Sequence, residues 1–578
     1  MKKIIAFVLG LVLLMAFALP AAAAPQGQRE VKGSLFLLTT PDDFAQGEIE
    51  GLAVEQAAGN GALTLAEGAL EGTYTSEIIA VEPFEYLVAS WNADTPGGTW
   101  VEISVRAYVD KKGDWSGWMS WGKWCGADIA RASTGDEDDF AYMDVDTMTI
   151  KGSDGETASR VQVKAVLHGE EAGGKPVLRQ IGITYKNTLD GQAIEPLYYG
   201  EETELPAGVK LDTPAYSQMI RENSMASVMC SAVTICTLLN DRGEDALPEE
   251  AALLSYDSEY DGYGNWPYTV AVAGAYGYEA YVQYADLDIL KQELAHGYSV
   301  GINVKYSSTD NGSYPYLENA AISSTGGHLI AITGYETIDG VEYFYSSDSA
   351  ASQGDASCLR RYRADQLNAA WTQRVAYIVH EKETGIAPIV PNRVKAELTY
   401  VEGTEYEYAL SVNGQAVALP KTFLSAKLRK PESGVIGYYI QGEPGAGMPE
   451  GVKTTTANET FLYSIPVASS GNLRIVPANA IPGATEAKTL HVFVMRNDGL
   501  TYEATVEVDP NMAIATPAPK ETAAPTQEAV QTPAAAAAGA EASAQPTAGG
   551  NAVWLIAAGI AIAVAVVLIA VLAKKKKQ

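Results

Sequence analysis

Met229-Cys230-Ser231-Ala232-Val233-Thr234-Ile235-Cys236-Thr237-Leu238-Leu239-Asn240 is the stretch on which the fold turns. The residues after Cys230 are apolar almost all the way round a 3.6-residue turn, which predicts a central helix buried on every side. Cys230 stands at its N-terminus. A thiol there meets unpaired backbone N–H groups and the positive end of the helix dipole, and both favour the thiolate. A cysteine before an apolar helix is by itself more often a small buried residue, so a catalytic reading needs partners from elsewhere in the chain.

Such partners follow in order. Gly326-Gly327 precedes His328, which opens the apolar run Leu329 to Tyr335. A turn at Asp339-Gly340 and a second strand, Val341 to Tyr345, lead back to Asp348. The 20-position separation of His328 and Asp348 suits a hairpin that brings both to one end of a sheet. An aspartate on one imidazole nitrogen fixes the tautomer and leaves the other nitrogen to take a thiol proton. Gln218 lies 12 residues before Cys230, where its amide could join the Cys230 backbone N–H in holding a tetrahedral oxyanion. Each element is weak alone, and the order Gln, Cys, His, Asp within one segment is more specific.

The segment from about Leu211 to Glu381 resembles the papain-fold peptidases related to the bacteriocin-processing, double-glycine-leader peptidases, cysteine peptidase family thirty-nine, and most of all their secreted Gram-positive branch. The shared pieces are Pro214-Ala215-Tyr216-Ser217-Gln218, Cys230 with its apolar helix, Asp261-Gly262-Tyr263-Gly264-Asn265-Trp266-Pro267, Gly327-His328 with its strand, Asp348, and Val375 to His380. The resemblance implies a papain-like α+β domain over 207–385, with Gln218 as oxyanion residue, Cys230 as nucleophile, His328 as base and Asp348 as orienter. It implies hydrolysis of a peptide or protein substrate without a cofactor. The secreted relatives tend to carry a preceding β-rich domain with similar Trp-rich segments, so the resemblance extends back to about Tyr74. There are two departures. Ser231-Ala232 stand where the family usually has Gly-Pro or Ser-Pro, and Ser347 replaces the Asn that commonly precedes the aspartate. Neither removes a catalytic group, but the lost proline bears on how the helix starts. The alternatives are a catalytically silent papain-like scaffold in a surface adhesin or glycan-binding protein, and an acyltransferase or amidase of the same fold.

Around this segment the expected fold class is multidomain: the α+β peptidase domain flanked by two all-β sandwiches, with a C-terminal transmembrane helix. Residues 30–190 show short alternating runs such as Val101 to Tyr108 and hold six of the nine tryptophans, namely Trp91, Trp100, Trp115, Trp118, Trp121 and Trp124. Tryptophans stack on sugar rings, so a glycan ligand is possible at this domain, although packing is the commoner use. The acidic run Asp136 to Asp139 with Asp144 and Asp146 lacks the spacing of a calcium loop and reads as solvated. Residues 388–510 read as an immunoglobulin-like β domain. No phosphate-binding glycine loop and no Cys or His pair at zinc spacing occurs. Cys236 should be buried in the helix, Cys125 and Cys358 either free or paired, and His168, His296, His380 and His491 structural or exposed.

The ends read as targeting signals. Residues 1–24 have the basic start, apolar run and Ala-x-Ala spacing of a signal peptide. Residues 511–550 form a Pro/Ala/Thr-rich stalk. The continuous apolar stretch 552–573 is long enough for a transmembrane helix, and the lysines of the 574–578 tail would face the cytoplasm. The expectation is therefore a single-pass plasma-membrane protein with an extracellular N-terminal part and a cytoplasmic C-terminus. With 40 basic against 71 acidic residues the formal charge is −31, which argues against nucleic-acid binding.

Overall fold

The protein is described here from a computed structural model. It describes residues 28–512 apart from internal stretches, the largest being 420–434 and 442–459. The first part is a pair of sheets. Trp100–Val109 and Ala158–His168 lie antiparallel in an eight-stranded sheet, and Tyr86–Asp94 and Val177–Lys186 lie antiparallel in a seven-stranded one. Alternation along Trp100–Val109 sends Val101, Ile103, Val105, Ala107 and Val109 inward, the period-2 pattern of a sandwich strand. Trp91, Trp121 and Trp124 are fully buried core residues. Trp100, Trp115 and Trp118 are half-buried and carry cations on their faces: Lys123 is 4.0 Å from the Trp100 ring centroid, and Arg106 is 5.0 Å from those of Trp115 and Trp118.

The central part has a second seven-stranded sheet, in which Tyr278–Tyr284, Val375–Lys382, Val300–Ser307, Ser324–Ile338, Val341–Ser347 and Leu359–Arg363 are successive neighbours. Asp339 and Gly340 both have positive φ, 50° and 78°, as a tight hairpin turn between Ser324–Ile338 and Val341–Ser347 requires. The helices Cys230–Asp241, Pro248–Ser255 and Trp266–Ala275 pack on one another. Ser231 to Asn240 are all buried, because the helix is covered on every side.

The sandwich and this α+β part share one core. Trp91, Trp121, Ile181, Val233, Leu238 and Tyr268 belong to a single hydrophobic cluster. Tyr268 stands edge-on to Trp91 at 6.0 Å and donates to the Trp121 carbonyl at 3.1 Å. Arg131, buried, donates to the carbonyls of Cys125 (2.8 Å), Tyr256 (3.2 Å) and Leu253. Gly274 marks the closest approach: a Cβ there would come within 2.6 Å of the Asn92 carboxamide oxygen and 2.8 Å of its Cα, so helix Trp266–Ala275 rests directly on strand Tyr86–Asp94. Beyond Pro388, a five-stranded and a four-stranded sheet surround a smaller core that includes Leu410, Leu473, Val492 and Val494. Arg393 ties this part back to Glu250 at 2.7 Å.

Two expectations are corrected. The expected fold class, with a C-terminal transmembrane helix, is not what the structure describes: the described chain is mostly β-sheet with few helices, and no helix among the described residues is long and apolar enough to cross a membrane. The single-pass plasma-membrane placement rested on that helix and falls with it. The apolar stretch 552–573, the tail 574–578, the signal peptide 1–24 and nearly all of the stalk lie outside the described residues.

Candidate active site

Three elements converge on Cys230. It is the first residue of helix Cys230–Asp241, whose N-cap, Met229, makes no side-chain cap bond. Of the four cysteines only Cys230 is partly exposed; Cys125, Cys236 and Cys358 are buried. His328 lies in strand Ser324–Ile338 opposite Val304, and Asp348 follows the end of strand Val341–Ser347. His328 Nε2 is 2.8 Å from Asp348 Oδ1, which leaves Nδ1 for the Cys230 sulfur to which the imidazole is hydrogen-bonded. Asp348 is completely buried. Its carboxylate also accepts from the Tyr362 hydroxyl (2.8 Å), the Tyr306 hydroxyl (3.2 Å) and the Ala350 N–H (3.1 Å).

The electrostatics follow from these contacts. Burial pushes the Cys230 thiol up, but the hydrogen bond and charge of His328, with the Leu329 and Ser231 backbone N–H groups, outweigh it and hold the thiol below its ordinary value. Burial pushes the His328 imidazole down; the adjoining Asp348 carboxylate and Cys230 overcome that and push it up to about 10. For Asp348 burial raises and His328, Tyr362 and Ala350 lower, with a net depression. These shifts favour a thiolate beside an imidazolium. Cys236 and Cys358 behave oppositely, since burial pushes both thiols well above the ordinary range.

Cys230 and His328 adjoin an open cleft of about 610 Å³, lined also by Gly327, by the loop 260–264, and by the turn 144–147 of the N-terminal sandwich. Gln218 is placed differently. It is buried, its Oε1 accepts from the Ser349 hydroxyl at 2.7 Å, and its Nε2 donates to the Ala226 carbonyl at 2.8 Å. It is thus fastened to the residue after Asp348 and to the loop before Cys230, and is not among the residues lining the cleft. Ser231, which with Ala232 stands where the family usually has Gly-Pro or Ser-Pro, is held at 2.8 Å by both the Thr269 and Tyr377 hydroxyls.

Tyr306, Tyr362 and Ser349 were not singled out from sequence, and Asp146 was read only as a member of a solvated acidic run. Two of 32 tyrosines carry no local mark, and only the tertiary fold aims them at Asp348. In the acidic run, Asp138 accepts from the Gly117, Phe140 and Ala141 N–H groups, and Asp136 from Ser120, so both carboxylates serve backbone donors. Among the described residues no cluster of His, Cys, Asp or Glu could hold a metal ion.

Residues 35–185 match the model of the Peptidase C39 N-terminal domain, and residues 210–379 match that of the Peptidase C39 like family. The chain therefore carries a C39 cysteine peptidase-like domain, preceded by a domain of the C39 N-terminal type. No curated protein matches the chain. Solved structures similar to it include proCathepsin B S9 from Trypanosoma congolense, at 14% identity and a TM-score of 0.25 over 32% of this chain and 82% of that one. Digestive procathepsin L 3 of Tenebrio molitor larval midgut is similar at 15% identity and a TM-score of 0.24, over 32% and 73%. TmCBM61 in complex with beta-1,4-galactotriose is similar at 12% identity and a TM-score of 0.17, over 25% and 91%.

Proposed function

We propose that the protein is a cysteine peptidase in which Cys230 attacks the scissile carbonyl, His328 manages the proton and Asp348 orients the imidazole. The observation that carries this reading is the hydrogen-bonded series Cys230–His328–Asp348 beside an open cleft. The thiolate adds to the carbonyl carbon, and the His328 imidazolium gives its proton to the departing amine as the C–N bond breaks. Neutral His328 then takes a proton from the water that attacks the thioester, and as the C–S bond breaks the acid product leaves and the Cys230 thiolate is restored beside the imidazolium. The Cys230 backbone N–H, at a helix start, is a natural donor to the oxyanion.

The half-buried tryptophans, each covered by a cation, favour packing over a sugar platform. A silent scaffold or an acyl transfer chemistry is separated from the peptidase by direct assay. A pool of internally quenched peptides should be cleaved by the purified protein and left intact by Cys230→Ala. The rate should be bell-shaped in pH. Its rising limb, formation of the thiolate, should lie below the ordinary thiol range, and its falling limb, loss of the imidazolium proton, should lie near 10, both belonging to the coupled pair. Cleavage that persists in Cys230→Ala, or no cleavage of any peptide, would remove the proposal.

A further inference from the structure

One wall of the cleft comes from outside the papain-like part. The hairpin of Ala141–Asp144 and Thr147–Ile150, in the N-terminal sandwich, brings its tip to the cleft that contains Cys230 and His328. The tip is fixed there. Trp121 Nε1 donates to the Asp146 carbonyl at 2.8 Å, and the Trp266 N–H donates to Asp146 Oδ2 at 3.2 Å. Val145 sits at φ 57°, a left-handed conformation that a β-branched residue adopts only when its surroundings impose it.

The charge of the cleft is one-sided. Its aspartates are Asp144, Asp146 and Asp261, and among the described residues neither lysine nor arginine lines it. Lys186, whose ammonium donates to the Gln373 carbonyl at 2.8 Å, and Arg374 beside it are not part of the lining. Asp261 is held in place from within the fold, its Oδ1 accepting from the Tyr256 hydroxyl at 2.8 Å, while Asp144 stands exposed at the hairpin tip.

We propose that the cleft selects peptides with a lysine or arginine side chain next to the scissile bond, using Asp144 and Asp261 as acceptors. The inference rests on the peptidase reading and adds its substrate class. It also makes the N-terminal sandwich a part of substrate recognition, because Asp144 belongs to that domain.

Epoxysuccinyl peptides test it without a known substrate. The Cys230 thiolate opens the epoxide, forming a C–S bond as the C–O bond breaks, and the alkoxide takes up a proton. Probes should differ only in carrying lysine, norleucine or glutamate on one side of the epoxide or the other, and adducts on Cys230 should be timed by mass spectrometry. Lysine should outpace norleucine by about ten-fold in at least one of the two placements, the size of a single charge-assisted contact, and glutamate should trail norleucine. The lysine-to-norleucine ratio should fall toward one in Asp144→Asn, which is exposed and safe for folding, and in Asp261→Asn, which preserves an amino acid at home at φ 53°. Added salt should lower the same ratio. If iodoacetamide labels Cys230 but the probes show no preference, whether all react or none, this inference fails alone. If neither probes nor iodoacetamide modify Cys230, the peptidase reading itself fails.

Discussion

Asp348→Asn is expected to lower turnover at neutral pH by about 10³–10⁴-fold, the scale seen when the acid of a nucleophile–His–acid triad loses its charge and keeps its shape. Asp348 is buried against His328 and accepts from Tyr306, Tyr362 and Ala350 as well. An asparagine occupies the same volume, and the two tyrosine hydroxyls can rotate to accept from its amide. What it cannot supply is the negative charge that raises the His328 pKa. The falling limb of the pH–rate profile should accordingly move down from about 10 toward the ordinary imidazole range. The raised His328 contributes folding stability that is complete below about pH 6.5 and disappears as pH climbs through about 10. The depressed Asp348 contributes stability above the ordinary carboxylate range, lost as pH falls through its folded value. The variant should thus melt somewhat earlier near neutrality, by much less than the loss in rate implies. Equal losses of melting temperature and activity, with an unmoved pH profile, would make Asp348 structural.

The second large effect concerns the N-terminal sandwich. A chain beginning at residue 207 should show no cooperative thermal transition, although it keeps Gln218, Cys230, His328 and Asp348. Removing the sandwich strips the cover from Tyr268, Tyr281 and Tyr284, all fully buried, and unties the Gln180 side chain from the Ala280 carbonyl and the Thr184 hydroxyl from the Tyr284 N–H. Burying one large side chain contributes about 1.5–3 kcal/mol, so exposing several exceeds the 5–15 kcal/mol margin of a typical domain within a few residues. Scanning calorimetry or tryptophan fluorescence decides the matter. A sharp transition close to that of the full chain would show the α+β part to be self-sufficient.

The legible parts of the fold were those with strong local periodicity. The apolar circumference after Cys230 announced a buried helix, and the alternation between two apolar runs joined by Asp339-Gly340 announced the hairpin that sets His328 and Asp348 at one end of the sheet. The reach from Nε2 to Asp348 needed only that hairpin and its register. Contacts made by residues distant in sequence were not legible. Nothing near Tyr306 or Tyr362 marks them as donors to one carboxylate, and the solvated reading of the acidic run missed that Asp146, its last member, is buried at the candidate active-site cleft with burial pushing its carboxyl up to about 7. The sandwich looked like a separate module because its strand pattern ends before the linker. Its tryptophans in fact divide, three forming the core and three lying beneath surface cations, and the core continues into the next domain.

The central claim is that Cys230 is an activated thiolate beside the His328 imidazolium, and alkylation measures it directly. Native protein treated with iodoacetamide at about pH 6 should carry the label on Cys230 within minutes, while Cys236 and Cys358, whose thiols burial pushes up, stay almost unlabelled. His328→Ala should abolish the fast phase, because loss of the neighbouring cation returns the thiol toward its ordinary pKa of about 8.5. Peptide mass spectrometry that finds Cys230 modified no faster than Cys125 or Cys358, or equally fast without His328, would contradict the account.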